Sequence, residues 1–455
     1  MLGKQIFVTL RNLLFTVIFG VSKAGFSPKG SRARSDENEA YYSKIHRPDD
    51  AWSSSARLAI LAQDLQETLQ SWGAPPITVS GSFPTKSPGT SAYILAAREK
   101  TNSTNQYVFK VHPTGYYKLW EGVFNAPFGY YVEVGSQKRR FLPTEAVYLQ
   151  LLSQCPRFPQ LDSVYMHNDM TIIVMSAEAV VKRPERGHLC TENPLDHHFP
   201  SYSGDELIDG KTPRLTEIQV CKVATHILQA LMYLMDMNMS HDDLSHRNYL
   251  VDENLNTTLI DLGFMHTAPS ESGWKATFWI ALLATEFLIS PEIAQKLQSS
   301  AATDTPTTAG VVIYVRHAHD IRTQHMWKFG ALIYDLLHGY APWELPHWDP
   351  EIGALRDFHL YEKTEKRIQY IRDRRWRMIN EDLPIDDRLS QDCVDVLRAM
   401  LAKDVAKRPA LRELVSFPWF QGHWADYPAE TFRRPPYLPR EPTQGRRRRY
   451  SEQRS

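Results

Sequence analysis

Cysteine is scarce in this sequence, and neither sign of charge is in excess. Four cysteines stand far apart among 455 residues, and no C-x-x-C or other metal-ligand spacing joins them. Their spacing argues against a disulfide framework or a zinc site and favours a reducing compartment. Lysine plus arginine and aspartate plus glutamate both number 52, so the formal net charge is zero. We therefore expect no nucleic-acid partner, because proteins built for nucleic acid carry a basic surface.

We also expect no transmembrane span in this sequence. The N-terminal segment 1–35 is basic and contains no acidic residue. Its apolar run at 13–21 is too short for a membrane span. Three interpretations stay open for this segment: a signal peptide with a small-residue cleavage site at 22–24, an organelle transit peptide, and a disordered stretch or surface helix.

The order of hydrophobic patterns indicates the fold class. Hydrophobic residues make up 42% of the chain, which is enough for a full core. Strand patterns come first and helical spacings of three and four dominate afterwards, so we predict an α+β fold with two segregated lobes. The predicted strands begin near Ile77 and cover 107–111 and 171–175, and the predicted helices cover 52–72, 144–152 (amphipathic), 215–235, 329–337 and 389–401.

Several segments show no hydrophobic period. Residues 180–213 are rich in Pro, His and Asp and predict an insertion loop, and 299–308 predicts a disordered insert. The arginine run at 446–449 fits a nuclear localisation signal, a patch for an acidic partner, or a solvated tail. The predicted organisation is a basic segment at 1–35, a linker and helix at 36–76, a main domain at 77–422, and a disordered Pro/Arg-rich tail at 423–455.

Two short motifs near the middle of the chain carry the chemistry. The first, HDDLSHRNYLV at 241–251, places Asn248 five residues after Asp243, and the second, LIDLG, places Asp261 at the end of an apolar strand. Phosphoryl transfer needs one carboxylate to take the proton of the acceptor hydroxyl. It also needs oxygen ligands that hold Mg²⁺ against the nucleotide phosphates.

These motifs resemble the H-R-D-L-x-x-x-N and D-F-G motifs of eukaryotic protein kinases. The resemblance implies a two-lobed fold with a small β-rich N-lobe and a large helical C-lobe, and an enzyme that uses ATP and Mg²⁺ on a protein substrate. It assigns the catalytic base to Asp243 and the Mg²⁺ ligands to Asn248 and Asp261. His241 is expected to pack in the core rather than act as a base.

Further parts of the kinase pattern follow in the right order. Lys110 lies in a V-F-K strand like V-A-I-K, and Glu145 is the candidate carboxylate that orients it. The stretch between them, 115–140, is predicted to form an elaborated hairpin. The glycine-rich loop is poor, because only Gly89 of its glycines is kept. The resemblance places the nucleotide against Gly89, Ile94, Val108, Lys110, Met175 and Leu250.

The segment 284–292, ATEFLISPE, resembles the end of a kinase activation segment. The resemblance implies that Thr285 forms a hydrogen bond near Asp243 and shapes the acceptor site. It also implies that Glu292 pairs with Arg408 as a structural ion pair.

Some positions depart from the family pattern. Asp242 replaces an Arg that normally binds a phosphorylated activation-segment residue, and His325 replaces an Asp that supports the catalytic loop. We expect Asp242 and His325 to contact each other.

Ser245 stands where serine/threonine kinases carry Lys, and Arg247 before Asn248 resembles the tyrosine-kinase arrangement, whereas the segments 339–343 and 418–420 resemble serine/threonine kinases. The frequency of serine/threonine kinases in the family favours a serine or threonine hydroxyl over tyrosine.

Three functional hypotheses remain open. The first is an active protein kinase, which needs ATP and is therefore expected inside the cell, in the cytoplasm or nucleus. The second is a pseudokinase scaffold, which the eroded glycine loop, Asp242 and His325 motivate. The third is a small-molecule kinase of related fold, against which the expected Glu292–Arg408 pair argues.

Overall fold

The computed structural model describes residues 67, 77–82, 92–99, 106–113, 129–134, 138–167, 170–176, 201–203, 207, 215–252, 254–268, 271–275, 277–279, 288–299, 316–318, 320–344 and 365–424. The first lobe is built on a five-stranded antiparallel sheet in the order β1-β2-β3-β7-β6. A separate hairpin, β4-β5, leads directly into helix α1. The elements of this lobe are β1 (Ile77–Ser82), β2 (Tyr93–Glu99), β3 (Gln106–Pro113), β4 (Gly129–Val134), β5 (Lys138–Pro143), α1 (Thr144–Leu151), β6 (Gln160–His167) and β7 (Met170–Ser176).

Helix α1 is enclosed rather than amphipathic. All of its residues except Gln150 are buried. The prediction of one exposed face was wrong, because α1 also packs against the 3₁₀ turn Leu262–Phe264 of the second lobe. This burial fixes the position of Glu145, which lies in the first turn of the helix.

The second lobe is mainly helical, with short two- and three-stranded sheets around the catalytic loop. Its helices are α2 (Glu217–Asp236), α3 (Pro291–Ser299), α4 (Ile321–His338), α5 (Glu365–Asn380), α6 (Gln391–Met400) and α7 (Pro418–Trp424). Its strands are β8 (Ser201–Ser203), β9 (Met239–His241), β10 (Tyr249–Asp252), β11 (Thr257–Leu259), β12 (Met265–Thr267), β13 (Thr277–Trp279) and β14 (Arg316–Ala318).

Local sequence explains where the two central helices begin and end. Helix α2 starts with a capping box, in which Thr216 and Gln219 satisfy each other's backbone N–H groups. Helix α4 ends at Gly339, whose φ of 80° is in the left-handed region that glycine adopts without strain. Gly330 allows α4 and α6 to approach closely, since a Cβ there would lie 2.9 Å from the Cβ of Met400.

The structure extends and corrects the predicted elements. The insertion 180–213 is not wholly a loop, because it contains the strand β8, which pairs with β10 of the second lobe. Helix α4 starts at Ile321, well before the predicted 329, and α5 was not predicted at all. The final helix runs to Trp424, two residues beyond the predicted end of the main domain. Three predicted segments lie outside the described residues apart from Ser299: 1–35, 299–308 and the arginine tail. Of the predicted helix 52–72, only Glu67 is described, and it is helical.

One continuous apolar core joins the two lobes. It includes Leu149 of α1, Ile173 of β7, Leu231 of α2 and Phe329 of α4. The loop after α1 adds a polar link, because the carbonyl of Arg157 accepts the amide of Leu259 at 2.8 Å. Within the described part of the chain, α2 alone has the length and apolar composition of a membrane span, and 72% of its most apolar window is buried inside the protein. That burial is typical of a core helix.

Candidate active site

The catalytic loop connects β9 to β10 and holds Asp243 and Asn248 in contact. The Asn248 side chain donates from Nδ2 to the Asp243 backbone oxygen at 2.6 Å and to its Oδ2 at 2.8 Å. A 3₁₀ turn at His246–Asn248 brings the amide back toward the carboxylate. The Asn248 carbonyl in turn accepts the amide of Ile260 at 2.9 Å. The loop is therefore tied to the strand that delivers Asp261.

Asp261 adopts a backbone conformation that few residues tolerate. Its φ of 60° and ψ of 66° are left-handed, which costs energy for a residue with a Cβ, although Asp tolerates it better than most. This conformation lies between the buried strand β11 and the buried Leu262. It leaves the Asp261 side chain one-third exposed at the cleft, at 33%, where a ligand could reach it.

Lys110 joins the two lobes by binding two carboxylates. Its Nζ lies 2.7 Å from Oε2 of Glu145 and 2.8 Å from Oδ1 of Asp261. Oε1 of Glu145 also accepts the backbone N–H of Leu262 at 3.3 Å. Burial alone would lower the pKa of Lys110, but the charges of Asp261 and Glu145 outweigh it and raise that pKa, so Lys110 carries a positive charge.

Asp243 has the electrostatic setting of a proton acceptor. Burial raises its pKa above the ordinary value for aspartate, and the negative charge of Asp261 raises it further. A raised pKa makes the carboxylate a stronger base. Asn248 opposes the shift by donating to the charged form. The Asp243 carboxylate is thus held in place by Asn248, which is also expected to bind Mg²⁺.

The donor set of Asn248 and Asp261 fits Mg²⁺. Both supply oxygen, and the contacts of Asn248 Nδ2 with Asp243 turn the amide oxygen away from that carboxylate. The described residues contain no group of three or more His, Cys, Asp and Glu that could hold a metal alone. Mg²⁺ commonly binds one or two protein ligands together with substrate phosphates, so a two-ligand site of this kind is suitable.

Those predicted nucleotide contacts that the structure describes lie on neighbouring strands of the first lobe, except Leu250, which lies on β10 of the second lobe. Ile94 is directly opposite Lys110 in the register of β2 and β3, and Val108 is opposite Met175 in β3 and β7. Ile94, Val108 and Leu250 are partly buried, whereas Met175 is buried. Gly89 and Thr285 lie outside the described residues, and the roles of all these residues stay predictions.

Two groups at the site were missed by sequence reasoning. His112 Nε2 lies 3.6 Å from Oε2 of Glu145. It lies two residues after Lys110 on a strand, so alternation alone places it on the same face. Burial lowers the pKa of His112, and the positive charge of Lys110 lowers it further. Lys328, one turn after His325 on α4, donates to the Asp242 carbonyl at 2.6 Å.

The expected contact between Asp242 and His325 is present. Oδ1 of Asp242 lies 3.5 Å from Nε2 of His325 and accepts the hydroxyl of Ser240 at 2.7 Å. Burial would raise the pKa of Asp242, but the hydrogen bond and charge of His325 lower it overall. Asp242 is therefore an anion in contact with α4 and with the preceding strand β9.

The expected ion pair between Glu292 and Arg408 is also present, away from the cleft. It is bidentate, with Nη1–Oε1 at 2.8 Å and Nη2–Oε2 at 2.7 Å. The Arg408 side chain is 0% exposed, and its guanidinium lies 4.8 Å from the ring centre of Trp327. Gln324 donates to the same carboxylate at 2.6 Å. Glu292, at the start of α3, is thus connected to the loop after α6 through Arg408 and to α4 through Gln324.

Comparison with known protein families gives evidence that is independent of the site's geometry. The model described as protein kinase domain matches residues 173–420, which is more than half of the chain. The match begins within β7 and includes Asp243, Asn248 and Asp261. Lys110 and Glu145 precede the matched residues, so their assignment depends on the motif order and on the ion pair described above.

The chain is also similar to curated kinases. It is 24% identical over 216 residues to fatty acyl-CoA synthetase and RNA processing-associated kinase 1 of Saccharomyces cerevisiae, covering 47% of this chain and 20% of that protein. It is 25% identical over 235 residues to serine/threonine-protein kinase ppk16 of Schizosaccharomyces pombe, covering 51% and 28%. It is 26% identical over 212 residues to serine/threonine-protein kinase ULK3 of Mus musculus, covering 46% and 35%. The aligned regions span about a fifth to a third of these relatives.

Proposed function

Because the chain belongs to the protein kinase domain family, we propose that it transfers the γ-phosphate of ATP to hydroxyl groups of protein substrates, with Mg²⁺ as the metal. Serine and threonine hydroxyls are the proposed acceptors, in preference to tyrosine. The names of ppk16 and ULK3, both serine/threonine-protein kinases, support this preference.

One observation supports the activity above all others. Lys110 Nζ contacts Glu145 at 2.7 Å and Asp261 at 2.8 Å, so the first lobe's cation meets the second lobe's metal-ligand carboxylate in one cleft. A catalytically competent cleft needs this arrangement, because the Lys and the Asp must both face the nucleotide phosphates. The apolar core, which continues through α1 into both lobes, holds the two lobes in this relative position.

The residues of this cleft divide the reaction among them. Mg²⁺, when bound by Asn248 and Asp261, would neutralise phosphate charge. Lys110 binds phosphate oxygens, and Glu145 keeps it oriented. Asp243 orients the acceptor hydroxyl and accepts its proton as the oxygen forms a bond to the γ-phosphorus and the bond to the ADP oxygen breaks.

We expect Mg-ATP to stabilise the full chain and to serve as its phosphate donor. Because bound nucleotide shifts unfolding by mass action, the unfolding temperature is expected to rise with ATP plus Mg²⁺ and much less with ATP plus EDTA. Transfer of radiolabelled γ-phosphate to mixed protein substrates, followed by phosphoamino-acid analysis, measures the activity and the acceptor. Labelling at serine and threonine is the expected result.

Other outcomes of this experiment would overturn the proposal in distinct ways. A chain that neither gains stability nor transfers phosphate is a pseudokinase scaffold. Labelled phosphotyrosine alone would overturn the acceptor assignment. Transfer to a small molecule, with none to protein, would indicate a small-molecule kinase of related fold.

We further propose that phosphorylation of the activation segment does not switch this enzyme on through residue 242. The anionic Asp242 repels phosphate where the family usually carries Arg. The described part of the activation segment already contacts α4 through an ion pair. Glu271 of the segment accepts a hydrogen bond from Nη1 of Arg322 on α4 at 3.1 Å. Arg322 is itself oriented by Asp320, which accepts from its Nε at 2.9 Å. The ion pair between Glu271 and Arg322 places a negative charge of the segment against α4 without phosphorylation.

Treatment with a protein phosphatase is accordingly expected to leave kcat/KM unchanged. The measurement compares treated and mock-treated enzyme after the phosphatase has been removed, and mass spectrometry confirms that phosphate is lost. A strict requirement for phosphate, restored by rephosphorylation, would contradict the proposal. Glu271→Gln provides a second test, because it removes the carboxylate that binds Arg322 while leaving Asp242 intact.

The need for ATP supports an intracellular location, in the cytoplasm or nucleus, which we add to the proposal. Imaging the tagged full chain beside a variant that lacks residues 1–35 tests it. Secretion or organelle import that depends on residues 1–35 would favour a targeting peptide.

A further inference from the structure

His246 makes two polar contacts on opposite sides of its ring. Its Nε2 lies 2.9 Å from Oδ2 of Asp335, and its Nδ1 lies 2.8 Å from the hydroxyl of Tyr249. The side chains of His246 and Asp335 are 13% and 8% exposed. Neither the kinase motifs nor the reaction described above uses any of these three residues. The contacts therefore call for a separate explanation.

These contacts flank the metal-ligand residue Asn248. His246 begins the 3₁₀ turn that ends at Asn248, and Tyr249 begins β10 immediately after it. Tyr249 is fully buried and Asp335 lies on the buried central helix α4. The ring of His246 thus connects the buried helix α4 to the start of β10 across the turn that presents Asn248.

From this arrangement we infer that His246 is a positioning residue for the Mg²⁺ ligand Asn248, acting through Asp335 and Tyr249. The inference rests on the proposed function. The Nδ2 contacts with Asp243 limit rotation of the Asn248 amide, but they do not fix the backbone of the turn. Two polar contacts from His246 to the buried Asp335 and Tyr249 hold that backbone in place. Groups that hold a metal ligand in this way typically contribute about 10- to 100-fold to metal affinity or activity.

The test measures how Mg²⁺ supports binding of a non-hydrolysable ATP analogue, by calorimetry on the full chain. His246→Ala is expected to raise the Mg²⁺ concentration for half-maximal binding by about 10- to 100-fold, with kcat falling in parallel. Asp335→Ala and Tyr249→Phe, which each remove one contact, are expected to give smaller increases. His246→Gln is expected to recover part of the loss, because its amide N–H can donate to Asp335.

A matched control separates positioning from packing. His338 lies on the same helix as Asp335, is buried, and contacts the Tyr334 carbonyl at 2.8 Å rather than the catalytic loop. His338→Gln is expected to lower the unfolding temperature in EDTA without changing the Mg²⁺ requirement. If His246→Ala behaves like His338→Gln, the inference is overturned and His246 is a packing residue.

Two further outcomes are distinguishable. If His246→Ala does not fold, Asp335→Ala and Tyr249→Phe decide, and an unchanged Mg²⁺ requirement in both overturns the inference. If the unmodified chain binds no Mg-nucleotide, the proposed function itself fails. Normal Mg²⁺-dependent binding by the unmodified chain and by all three variants overturns the inference alone.

Discussion

The variant Asp243→Asn is expected to lose phosphate transfer by about 10²- to 10⁴-fold, the range that a positioned general base contributes. Asparagine has nearly the same shape as aspartate but cannot accept the hydroxyl proton. Its side-chain oxygen can still accept the hydrogen bond that Asn248 donates to Oδ2 at 2.8 Å. The metal-ligand geometry is therefore expected to survive, and the measurement is the single-turnover rate of phosphate transfer.

Binding of Mg-ATP distinguishes lost chemistry from lost structure in this variant. Its stabilisation by Mg-ATP is expected to equal that of the unmodified chain. Asp252→Asn is the matched control, because Asp252 is a buried carboxylate of the same lobe that accepts from Asn256 at 2.7 Å and lies outside the cleft. A rate for Asp243→Asn equal to that of the unmodified chain would exclude Asp243 as the base.

The second large effect is expected on stability, from Arg408→Leu. The substitution leaves the carboxylate of Glu292 without its bidentate partner while it is still enclosed by the protein. Breaking a buried pair by removing one partner costs about 3–5 kcal/mol. For a domain of this size the unfolding temperature should fall by on the order of 10 °C. Calorimetric unfolding measures it, and Arg388→Leu, which removes a largely exposed arginine, should leave the unfolding temperature unchanged.

The same pair predicts how stability depends on pH. Burial would raise the pKa of Glu292, but Arg408 lowers it below the ordinary 4.5. The folded state then binds fewer protons than the unfolded state, so this stabilisation is present above pH 4.5 and is lost as the pH falls through the lowered pKa. The stability difference between the unmodified chain and Glu292→Gln should narrow on acidification below pH 4.5. A difference that stays constant to pH 3 would contradict the role of the charge.

The local parts of the site could be predicted because short spacings fix geometry. Asp243 and Asn248 lie five residues apart in one short loop. Their small separation along the chain keeps the two side chains close enough to form a hydrogen bond. The period of two on β3 puts Val108 and Lys110 on one face of the sheet. The same rule applied to residue 112 would have found His112 beside Glu145, since strand alternation needs no tertiary information.

Other features were beyond sequence reasoning because they depend on packing. The burial of α1 on nearly every side follows from its position between the two lobes, so its own residues did not predict it. The strand β8 forms because β10 offers it a partner, within a segment whose composition predicts only a loop. The contact between His246 and Asp335 depends on how α4 packs beside the catalytic loop, which sequence spacing does not reveal.

The sequence by itself determined the family, the order of the elements and the chemical type of each group in the cleft, since these are encoded in short motifs and in hydrophobic period. Only the tertiary structure decided which groups meet. Lys110 bonds to Glu145 across 35 residues and to Asp261 across 151. Contacts over such separations arise when the sheet, α1 and the catalytic loop pack around one core, because the local conformation of each segment is compatible with many alternative partners.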